Sequence, residues 1–451
     1  MNVYDSDKIL SHLKPLGYNS TDLLEIADLI IVNTCSIREK AEQKAFSFVG
    51  RLAKIKQKNS SLIIAVGGCL AQQAGKKILA GRPWVDIVFG THAIGRLPKM
   101  IQQVTEKKSR IIDVKMFETI QPGEFDTDTP CNSDVSSFIT IMRGCDNYCT
   151  YCVVPHVRGR EASRHPKDII TEIKALVAGG TREVTLLGQN VNSYGLKENM
   201  FSFSELLRMV NEIKGLHRIR FTTSHPKDLS NDLMNSFRDL DKLCHHIHLP
   251  VQSGSDDILR RMNRKYTRRI YLEKVDNLRQ ISPEIAITSD IIVGFPGETA
   301  KDFEATLKLV EQIRFDGLFA FIYSDRPNVS AARFSNKVTE NKKRERLQIL
   351  LNLQEKYTLQ KNQAKVGKIE TVLVDGLSKK QAARNSCEND LNTSSNHQFF
   401  QWAGRTSANK IVNFCQNSGY EKKPGNLEGM LIDVKIEKAL AHSLWGKSVN
   451  P

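Results

Sequence analysis

Three cysteines, Cys145, Cys149 and Cys152, lie within eight residues of one another in a chain of 451 residues. They directly follow Phe138–Met142, a run that predicts a β-strand. Three thiolates at this spacing are able to hold three irons of a [4Fe–4S] cluster and leave the fourth iron without a protein ligand. Two other interpretations stay open: a zinc site with a fourth ligand elsewhere, or three buried structural thiols. Zinc usually takes two CxxC pairs, and the sequence contains one.

The open iron of such a cluster is able to bind the amino and carboxylate groups of S-adenosylmethionine (SAM). Transfer of one electron from the cluster then cleaves SAM to a 5′-deoxyadenosyl radical, a reaction that no side chain supplies alone. The cysteine triplet therefore favours radical chemistry with an iron–sulfur cluster and SAM as cofactors.

Two further cysteines end apolar segments near the amino terminus. Leu29–Val32 and Leu62–Val66 are β-branched runs that precede Cys35 and Cys69, and Val85–Phe89 is a third such run. Continuous apolar strands separated by helical segments are typical of a parallel sheet covered on both faces. Because ligands bind beyond the carboxyl ends of such strands, Cys35 and Cys69 are candidate metal ligands of a doubly wound α/β domain over residues 1–105.

A polar connector over about 105–135 precedes a second region, 131–365, in which strand and helix alternate six times. The predicted strands are Phe138–Met142, Glu183–Leu187, Arg218–Thr222, His246–Leu249, Ala286–Val293 and Leu318–Ile322. Six such units predict a partial (βα)6 barrel whose strand ends build an active site on one face. Gly188, Gln189, Gln252 and Gly294 follow these strands and are candidates for holding SAM, or otherwise for forming simple turns.

A third region, 366–440, contains short predicted strands at Val372–Val374, Lys410–Phe414 and Met430–Ile436. This pattern predicts a small antiparallel β-barrel, which suits contact with an RNA backbone or scaffolding. Residues 378–397 are rich in Ser, Asn, Lys and Gln and predict an exposed loop.

Two basic groups admit more than one interpretation. Arg158, Arg160 and Arg164 follow the cysteine triplet, and they suit contact with the SAM carboxylate or tRNA phosphate, or else a solvated basic loop. The second group consists of the histidines of a predicted strand, where hydrogen-bonded side chains are favoured over a metal site. Its members are His245, His246 and His248.

The composition limits the class of protein. The net charge of +15 is compatible with a nucleic-acid partner. No segment approaches the roughly 18 apolar residues of a membrane span, and no secretory signal precedes the first helix. We therefore expect a cytoplasmic protein without a membrane partner, in which nine cysteines serve metal or redox chemistry rather than disulfides.

Several motifs resemble those of the radical-SAM methylthiotransferases along nearly the whole chain. They are CDNYCTYC at 145–152, NTC at 33–35, GC at 68–69, LGQNV at 187–191, LPVQSG at 249–254 and GFPGE at 294–298. The resemblance implies an N-terminal α/β domain, a radical-SAM barrel and a C-terminal TRAM module. The residues between the first two cysteines, Asp146-Asn147-Tyr148, favour the members of the family that act on tRNA, and so does the segment 190–195.

The resemblance also implies the cofactors and their ligands. Cys145, Cys149 and Cys152 bind the SAM-cleaving cluster, and Cys35 and Cys69 help to bind an auxiliary [4Fe–4S] cluster that supplies or carries sulfur. One SAM gives the methyl group, and a second gives the radical that abstracts hydrogen from C2 of an N6-isopentenyladenosine next to the anticodon. The implied partners are tRNA and an electron donor such as flavodoxin or ferredoxin, with the enzyme a monomer.

The sequence departs from the family pattern at two places. The family has a third N-terminal cysteine just before the segment that Met1 opens here, so we expect a lost first strand, with Cys131 as a conceivable substitute ligand. The loop 323–330 also lacks the usual Gly-Thr-Pro run. Two alternative functions follow: methylthiolation of another adenosine or of a ribosomal-protein aspartate, and RNA binding without turnover.

Overall fold

A computed structural model describes residues 1–35, 39–121, 124–125, 134–379, 400–416 and 426–449. Cys131 and most of the predicted loop 378–397 lie outside these residues. No helix in the described ranges is both long and apolar enough to cross a membrane.

The N-terminal unit is a four-stranded parallel sheet with the order β1-β2-β3-β4. Its strands are β1 (Leu29–Thr34), β2 (Ile63–Gly68), β3 (Ile87–Phe89) and β4 (Ile111–Asp113). Its helices are α1 (Asn2–Leu13), α2 (Glu39–Lys58), α3 (Cys69–Gly81) and α4 (Leu97–Lys107).

Alternation along β2 explains why helices cover both faces of this sheet. Ile63 and Ala65 join the core formed with α1 and α4, whereas Ile64 and Val66 join the core formed with α2 and α3. The predicted doubly wound α/β fold is confirmed. The fourth strand, β4, lies in the segment for which the sequence predicted only a polar connector. Three residues are too short to give a strand pattern of their own.

The central unit is a partial barrel of six parallel strands arranged as two three-stranded sheets. The strands are β5 (Ser136–Thr140), β8 (Glu183–Leu187), β9 (Arg218–Phe221), β10 (His246–His248), β11 (Ala286–Val293) and β12 (Gly317–Ile322). A parallel bridge between Ile219 and Leu243 links the two sheets. An additional short antiparallel pair, β6 (Met142–Arg143) and β7 (Ala162–Ser163), follows β5. All six predicted strands are confirmed.

Helices flank this barrel on its outer side. They are α6 (Pro166–Ala178), α7 (Phe203–Asn211), α8 (Asn231–Asp239), α9 (Asp256–Arg261), α10 (Arg268–Ile281) and α11 (Ala300–Ile313). A short helix, α5 (Val154–Val157), follows the cysteine triplet and packs against Cys69 of α3 instead. The largest hydrophobic core of the described chain lies between these helices and the strands. Since the six barrel strands are parallel, the loops that follow them meet on one face.

The C-terminal unit is a closed five-stranded barrel with the order β13-β14-β15-β17-β16. It follows a long helix, α12 (Glu340–Gln363), and consists of β13 (Ile369–Leu377), β14 (Gln401–Thr406), β15 (Ile411–Cys415), β16 (Leu431–Ala439) and β17 (Leu444–Ser448). The predicted small β-barrel is confirmed, but it is not wholly antiparallel, since β15 and β17 pair in parallel. The strand β17 also closes the barrel beyond residue 440.

The small barrel packs against the amino-terminal ends of the partial-barrel strands. Arg218 Nη2 donates to the carbonyl of Thr371 over 2.8 Å, and Arg220 Nη2 donates to the carbonyl of Thr406 over 2.7 Å. Both arginines are buried. The small barrel therefore covers the end of the partial barrel opposite the face on which the loops after the strands meet.

Candidate functional site

The cysteine triplet lies on a loop whose two ends are joined by the β6–β7 pair. Gly144 opens this loop with φ of +74°, and a Cβ there would fall on the carbonyl oxygen of Arg160. A glycine is needed because both the left-handed conformation and the close approach exclude a side chain. The loop is thus a fixed feature of the carboxyl end of β5.

The three thiols are half-buried and close to one another. Burial raises the pKa of Cys145 to about 11 and that of Cys152 to about 12, with the neighbouring Cys149 adding to both shifts. Such thiols are protonated at neutral pH until iron displaces the proton. The three thiols therefore fit an iron–sulfur cluster, because its iron ions supply the positive charge that stabilises the thiolates.

Among the described residues, no three His, Cys, Asp or Glu side chains surround a single metal ion. A [4Fe–4S] cluster does not require that arrangement, since each thiolate binds a different iron.

A buried arginine that sequence analysis missed lies behind the triplet. Arg264 Nη1 is 3.5 Å from Cys149 Sγ, while its Nη2 donates to the carbonyl of Pro250 over 2.8 Å. Its Nε donates to the hydroxyl of Tyr266 over 2.9 Å. A cation fixed in this way stabilises negative charge on the thiolates. A single arginine in a loop after α9 carries no sequence signal of this role.

The loops after β8 and β9 carry buried polar atoms that lack a partner within the described part of the chain. These are Gln189 Oε1, Asn192 Oδ1, Ser224 Oγ and His225 Nε2. Burial, with Arg264 and Lys227 nearby, lowers the pKa of His225 to about 2, so its ring is neutral. Nδ1 of this ring accepts from the Lys227 amide over 3.2 Å, which leaves the proton on Nε2. Orphaned donors and acceptors at the strand ends fit a site for a polar cofactor.

The remaining candidates also lie at the carboxyl ends of the strands. Gly188 follows β8 and is packed against Met142. Gln252 lies four residues after the end of β10 and has φ of +71°. Its backbone amide donates to the carbonyl of Asp290 over 2.8 Å. A glutamine held in the left-handed region is strained, and such strain clusters at functional sites.

Gly294 ends β11 in a turn that a buried ion pair holds. Its amide donates to Glu298 over 2.7 Å, and Glu298 also accepts from Arg346 Nη1 over 2.5 Å. Burial raises the pKa of Glu298, whereas the hydrogen bonds from the Gly294 amide and Arg346 oppose that shift. With φ of +72° and Lys343 against its Cα, position 294 admits only glycine.

We expect Glu298→Gln to lower the free energy of unfolding by about 3–5 kcal/mol, because it leaves the buried Arg346 guanidinium without a counter-charge. Urea unfolding followed by circular dichroism measures this loss. The control is Glu304→Gln, which removes an exposed pair with Lys308 on α11 and should leave the free energy of unfolding nearly unchanged, because solvent screens the pair. Equal losses in the two variants would contradict this role of Glu298.

The two N-terminal cysteines are brought together by strand register. Thr34 of β1 pairs with Gly68 of β2, so Cys35 and Cys69 follow side by side at the end of the sheet. Cys69 is buried, begins α3 and packs against Val153 and Val157. Val153 is the residue after Cys152, so a thin apolar wall separates the two groups of cysteines.

The arginines after the triplet differ from both sequence interpretations. Arg158 and Arg164 are buried and form ion pairs: Arg158 with Asp5 of the N-terminal unit (2.5 Å), and Arg164 with Glu172 of the barrel helix α6 (2.7 Å). Glu172 also pairs with Lys8 of α1 over 2.8 Å. Neither contact with SAM or tRNA nor solvation describes these two arginines, because both are buried and paired with carboxylates. Only Arg160 of the three is half-exposed, and it pairs with Asp146.

The histidines of β10 form hydrogen bonds, as the sequence favoured. His246 Nε2 and His248 Nδ1 lie 3.2 and 3.1 Å from Thr288 Oγ1, and His245 Nδ1 lies 2.9 Å from Ser282 Oγ.

A polar cleft of about 350 Å³ opens beside the cysteine loop, and sequence analysis did not identify it. Its wall includes Asn190, Glu161, Lys197 and Lys227. Burial, with Asp146, Asp228 and Glu198 adding, raises the pKa of Glu161 to about 7. The cleft therefore combines two lysines with a carboxyl group that titrates near neutral pH.

Comparisons with known proteins agree with this geometry. Residues 139–310 match the model of the radical SAM superfamily, and residues 1–90 match that of an uncharacterized protein family, UPF0004. A radical SAM methyltransferase, TsrM from Kitasatospora setae, solved with cobalamin and a [4Fe–4S] cluster, superimposes with a TM-score of 0.55. It covers 73% of this chain and 74% of its own at 13% identity, which shows the fold alone.

Curated relatives are similar over the full length. A tRNA-2-methylthio-N(6)-dimethylallyladenosine synthase of Desulfosudis oleivorans is 54% identical over 100% of this chain and 94% of its own. Proteins of the same name from Syntrophus aciditrophicus and Geobacter metallireducens are 51% and 48% identical, over 99% of this chain and 92% and 96% of theirs. The chain therefore belongs to the tRNA-2-methylthio-N(6)-dimethylallyladenosine synthases, a family of radical SAM methylthiotransferases.

Proposed function

We propose that this enzyme adds a methylthio group to C2 of an N6-dimethylallyl (isopentenyl) adenosine next to the anticodon of tRNA. The observation that carries the proposal is the meeting of two cysteine groups across the wall formed by Val153 and Val157. One group suits the generation of a radical from SAM and the other suits the delivery of sulfur. A single-stranded anticodon loop lets its adenosine enter a pocket at modest cost.

In this proposal Cys145, Cys149 and Cys152 hold a [4Fe–4S] cluster at the carboxyl end of β5. When bound, that cluster supplies the electron that cleaves SAM. Arg264 holds positive charge beside Cys149, and the segment 261–264 fixes the loop from behind. Thr150 contributes to this support, since its amide donates to the carbonyl of Met262 over 3.1 Å.

Gly188, Gln189, Gln252 and Gly294 form the SAM site in the same proposal. The position of these residues supports the assignment, because all four follow barrel strands on the face that carries the cysteine loop. The glycines allow close approach of a ligand to the backbone, and Gln189 offers an acceptor without a partner among the described residues. The turn at 294–298 forms a rigid wall because the pair of Glu298 and Arg346 is buried.

Cys35 and Cys69 are the proposed ligands of the auxiliary [4Fe–4S] cluster. Both cysteines lie at the end of the N-terminal sheet, where doubly wound folds bind ligands. Their position opposite Val153 places sulfur close to the radical site. An external one-electron donor such as flavodoxin or ferredoxin completes the reaction. We further propose that the enzyme acts as a monomer in the cytoplasm, the compartment of its tRNA substrate.

tRNA binding is expected to involve Lys197 and Lys227 of the polar cleft together with the small C-terminal barrel. The double change Lys197→Ala and Lys227→Ala should weaken tRNA binding and lower the slope of log K against log salt concentration by about 1 to 2. Filter binding at several salt concentrations measures both. The control Lys308→Ala removes an exposed lysine on the outer helix α11 and should leave the slope unchanged. An unchanged slope in the double variant would place the phosphate contacts elsewhere.

A panel of substrates tests the choice of target. The enzyme is given tRNA carrying dimethylallyladenosine, the same tRNA without that modification, and tRNA carrying another modified adenosine, and methylthiolated nucleosides are counted. The proposal expects product from the first at least about tenfold faster than from the others, which is about 1.4 kcal/mol of discrimination. A preference for another modified adenosine would favour the rival target, and tight binding without any product would favour an RNA-binding protein.

A further inference from the structure

A buried cation lies beside the N-terminal cysteine pair. Arg158 follows Val157, which packs against Cys69, and both Arg158 and Cys69 are almost completely buried. Burial raises the pKa of the Cys69 thiol, whereas the charge of the Arg158 guanidinium and its hydrogen bond to the sulfur oppose that rise. An unpaired thiolate at such a depth is costly, because burial removes the water that would solvate its charge. A guanidinium in contact with the sulfur offsets that cost.

The side chain of Arg158 is oriented by helix α1. Its Nη2 is 2.5 Å from Asp5 Oδ2 and 3.3 Å from Asn2 Oδ1. These contacts fix the plane of the guanidinium. Because a planar fork donates to two partners at once, a lysine does not reproduce this arrangement.

The main chain of the same residue is fixed by the loop after β3. His92 Nε2 lies 2.9 Å from the carbonyl oxygen of Arg158, and Thr91 Oγ1 donates to the carbonyl of Val157 over 2.6 Å. Arg158 also follows Cys152 closely in sequence, through the short helix α5. One residue therefore connects the loop of the first cysteine group with the thiol of the second.

We infer that Arg158 is a positioning residue of the auxiliary cluster, one that neutralises the Cys69 thiolate and holds its sulfur against the wall shared with the SAM site. The inference rests on the proposed assignment of Cys35 and Cys69 as cluster ligands. Hydrogen bonds to cluster sulfurs raise the reduction potential, so Arg158 sets the potential of this cluster as well as its retention.

The test uses the full chain with Cys145, Cys149 and Cys152 all changed to alanine, so that iron reports the N-terminal site alone. After anaerobic reconstitution this parent should hold about four irons. Adding Arg158→Gln should remove at least about half of that iron and shift the potential of the remainder to more negative values. Arg158→Lys should give an intermediate result, since it keeps the charge without the fork.

The matched control is Arg164→Gln in the same parent. It breaks another buried ion pair, with Glu172 of the barrel, next to Tyr4 of α1. The other hydrogen bond of Arg164 goes to the carbonyl of Thr140 rather than to Cys69. Iron content and potential should equal those of the parent. A second variant, Asp5→Asn with Arg158→Gln, removes the buried pair as a whole and should recover stability relative to Arg158→Gln alone, but not iron.

Three outcomes would overturn the inference. Arg158→Gln with the iron and potential of the parent would limit Arg158 to the interface, and so would equal losses in Arg158→Gln and Arg164→Gln. A parent without iron would refute the assignment of Cys35 and Cys69, and the inference with it. The last outcome differs from the first two because it appears before Arg158 is changed.

Discussion

Changing Cys149 to alanine is expected to abolish the cleavage of SAM. Cys149 is the middle cysteine of the triplet, and Arg264 Nη1 lies 3.5 Å from its sulfur. Its loss removes one of the three proposed cluster ligands. Both 5′-deoxyadenosine and methylthiolated tRNA should fall by at least about a thousandfold, which is about 4 kcal/mol of activation free energy. Iron per chain should fall from about eight to about four.

The control for this variant is Cys415→Ala, which changes a partly exposed cysteine in the small barrel. It should retain iron, SAM cleavage and tRNA product. The apo form of Cys149→Ala should unfold within about 1 kcal/mol of the apo parent, because the thiol is half-buried and fills no core position. SAM cleavage at the parental rate in Cys149→Ala would refute the assignment of the triplet.

Changing Cys69 to alanine is expected to separate the two halves of the reaction. The proposed SAM site is built by the barrel, so 5′-deoxyadenosine should form at a rate within about tenfold of the parent. Methylthiolated tRNA should fall by at least about a thousandfold, because the auxiliary cluster loses a ligand that is buried beside the radical site. Liquid chromatography with mass spectrometry of both products in one reaction measures the separation.

Cys244→Ala is the control for Cys69→Ala, since it removes an equally buried cysteine at the other end of the barrel. It should form both products. If Cys69→Ala formed methylthiolated tRNA at the parental rate, the auxiliary site would lie elsewhere. If it lost both products, Cys69 would serve the structure around Val153 rather than sulfur transfer.

Long apolar strands were predictable from the sequence because their pattern is local. The strand β11 (Ala286–Val293) is the clearest case, because β-branched residues recur along its full length. The strands that the sequence analysis missed lack such a run. The strand β4 has only three residues. The strands β14 and β17 contain Gly404 and Gly446, and glycine in a sequence is typical of loops.

The glycines of the small barrel have a tertiary cause. A Cβ at Gly404 would meet the backbone of Leu373, and one at Gly446 would meet the backbone of Lys435. Neighbouring strands approach closely at these points because five strands close into a narrow barrel. No local sequence pattern indicates that the five strands close into a barrel.

The cysteine groups were predictable as candidates because spacing and position after a strand are properties of the sequence. Their mutual arrangement was not, since Cys69 meets Val153 only after two separate units pack together. The same applies to Arg158, whose sequence context predicted a solvated or ligand-binding arginine. Its burial depends on Asp5, a residue of the N-terminal unit on the opposite side of the interface.

The most direct measurement is an anaerobic reaction of the reconstituted enzyme with SAM, a one-electron reductant and tRNA that carries dimethylallyladenosine. Nucleosides and 5′-deoxyadenosine are then determined by mass spectrometry. We predict 2-methylthio-N6-dimethylallyladenosine together with 5′-deoxyadenosine in the intact enzyme, and 5′-deoxyadenosine alone in Cys69→Ala. The intact enzyme forming 5′-deoxyadenosine while its tRNA stays unchanged would contradict the account that both cysteine groups act in one reaction.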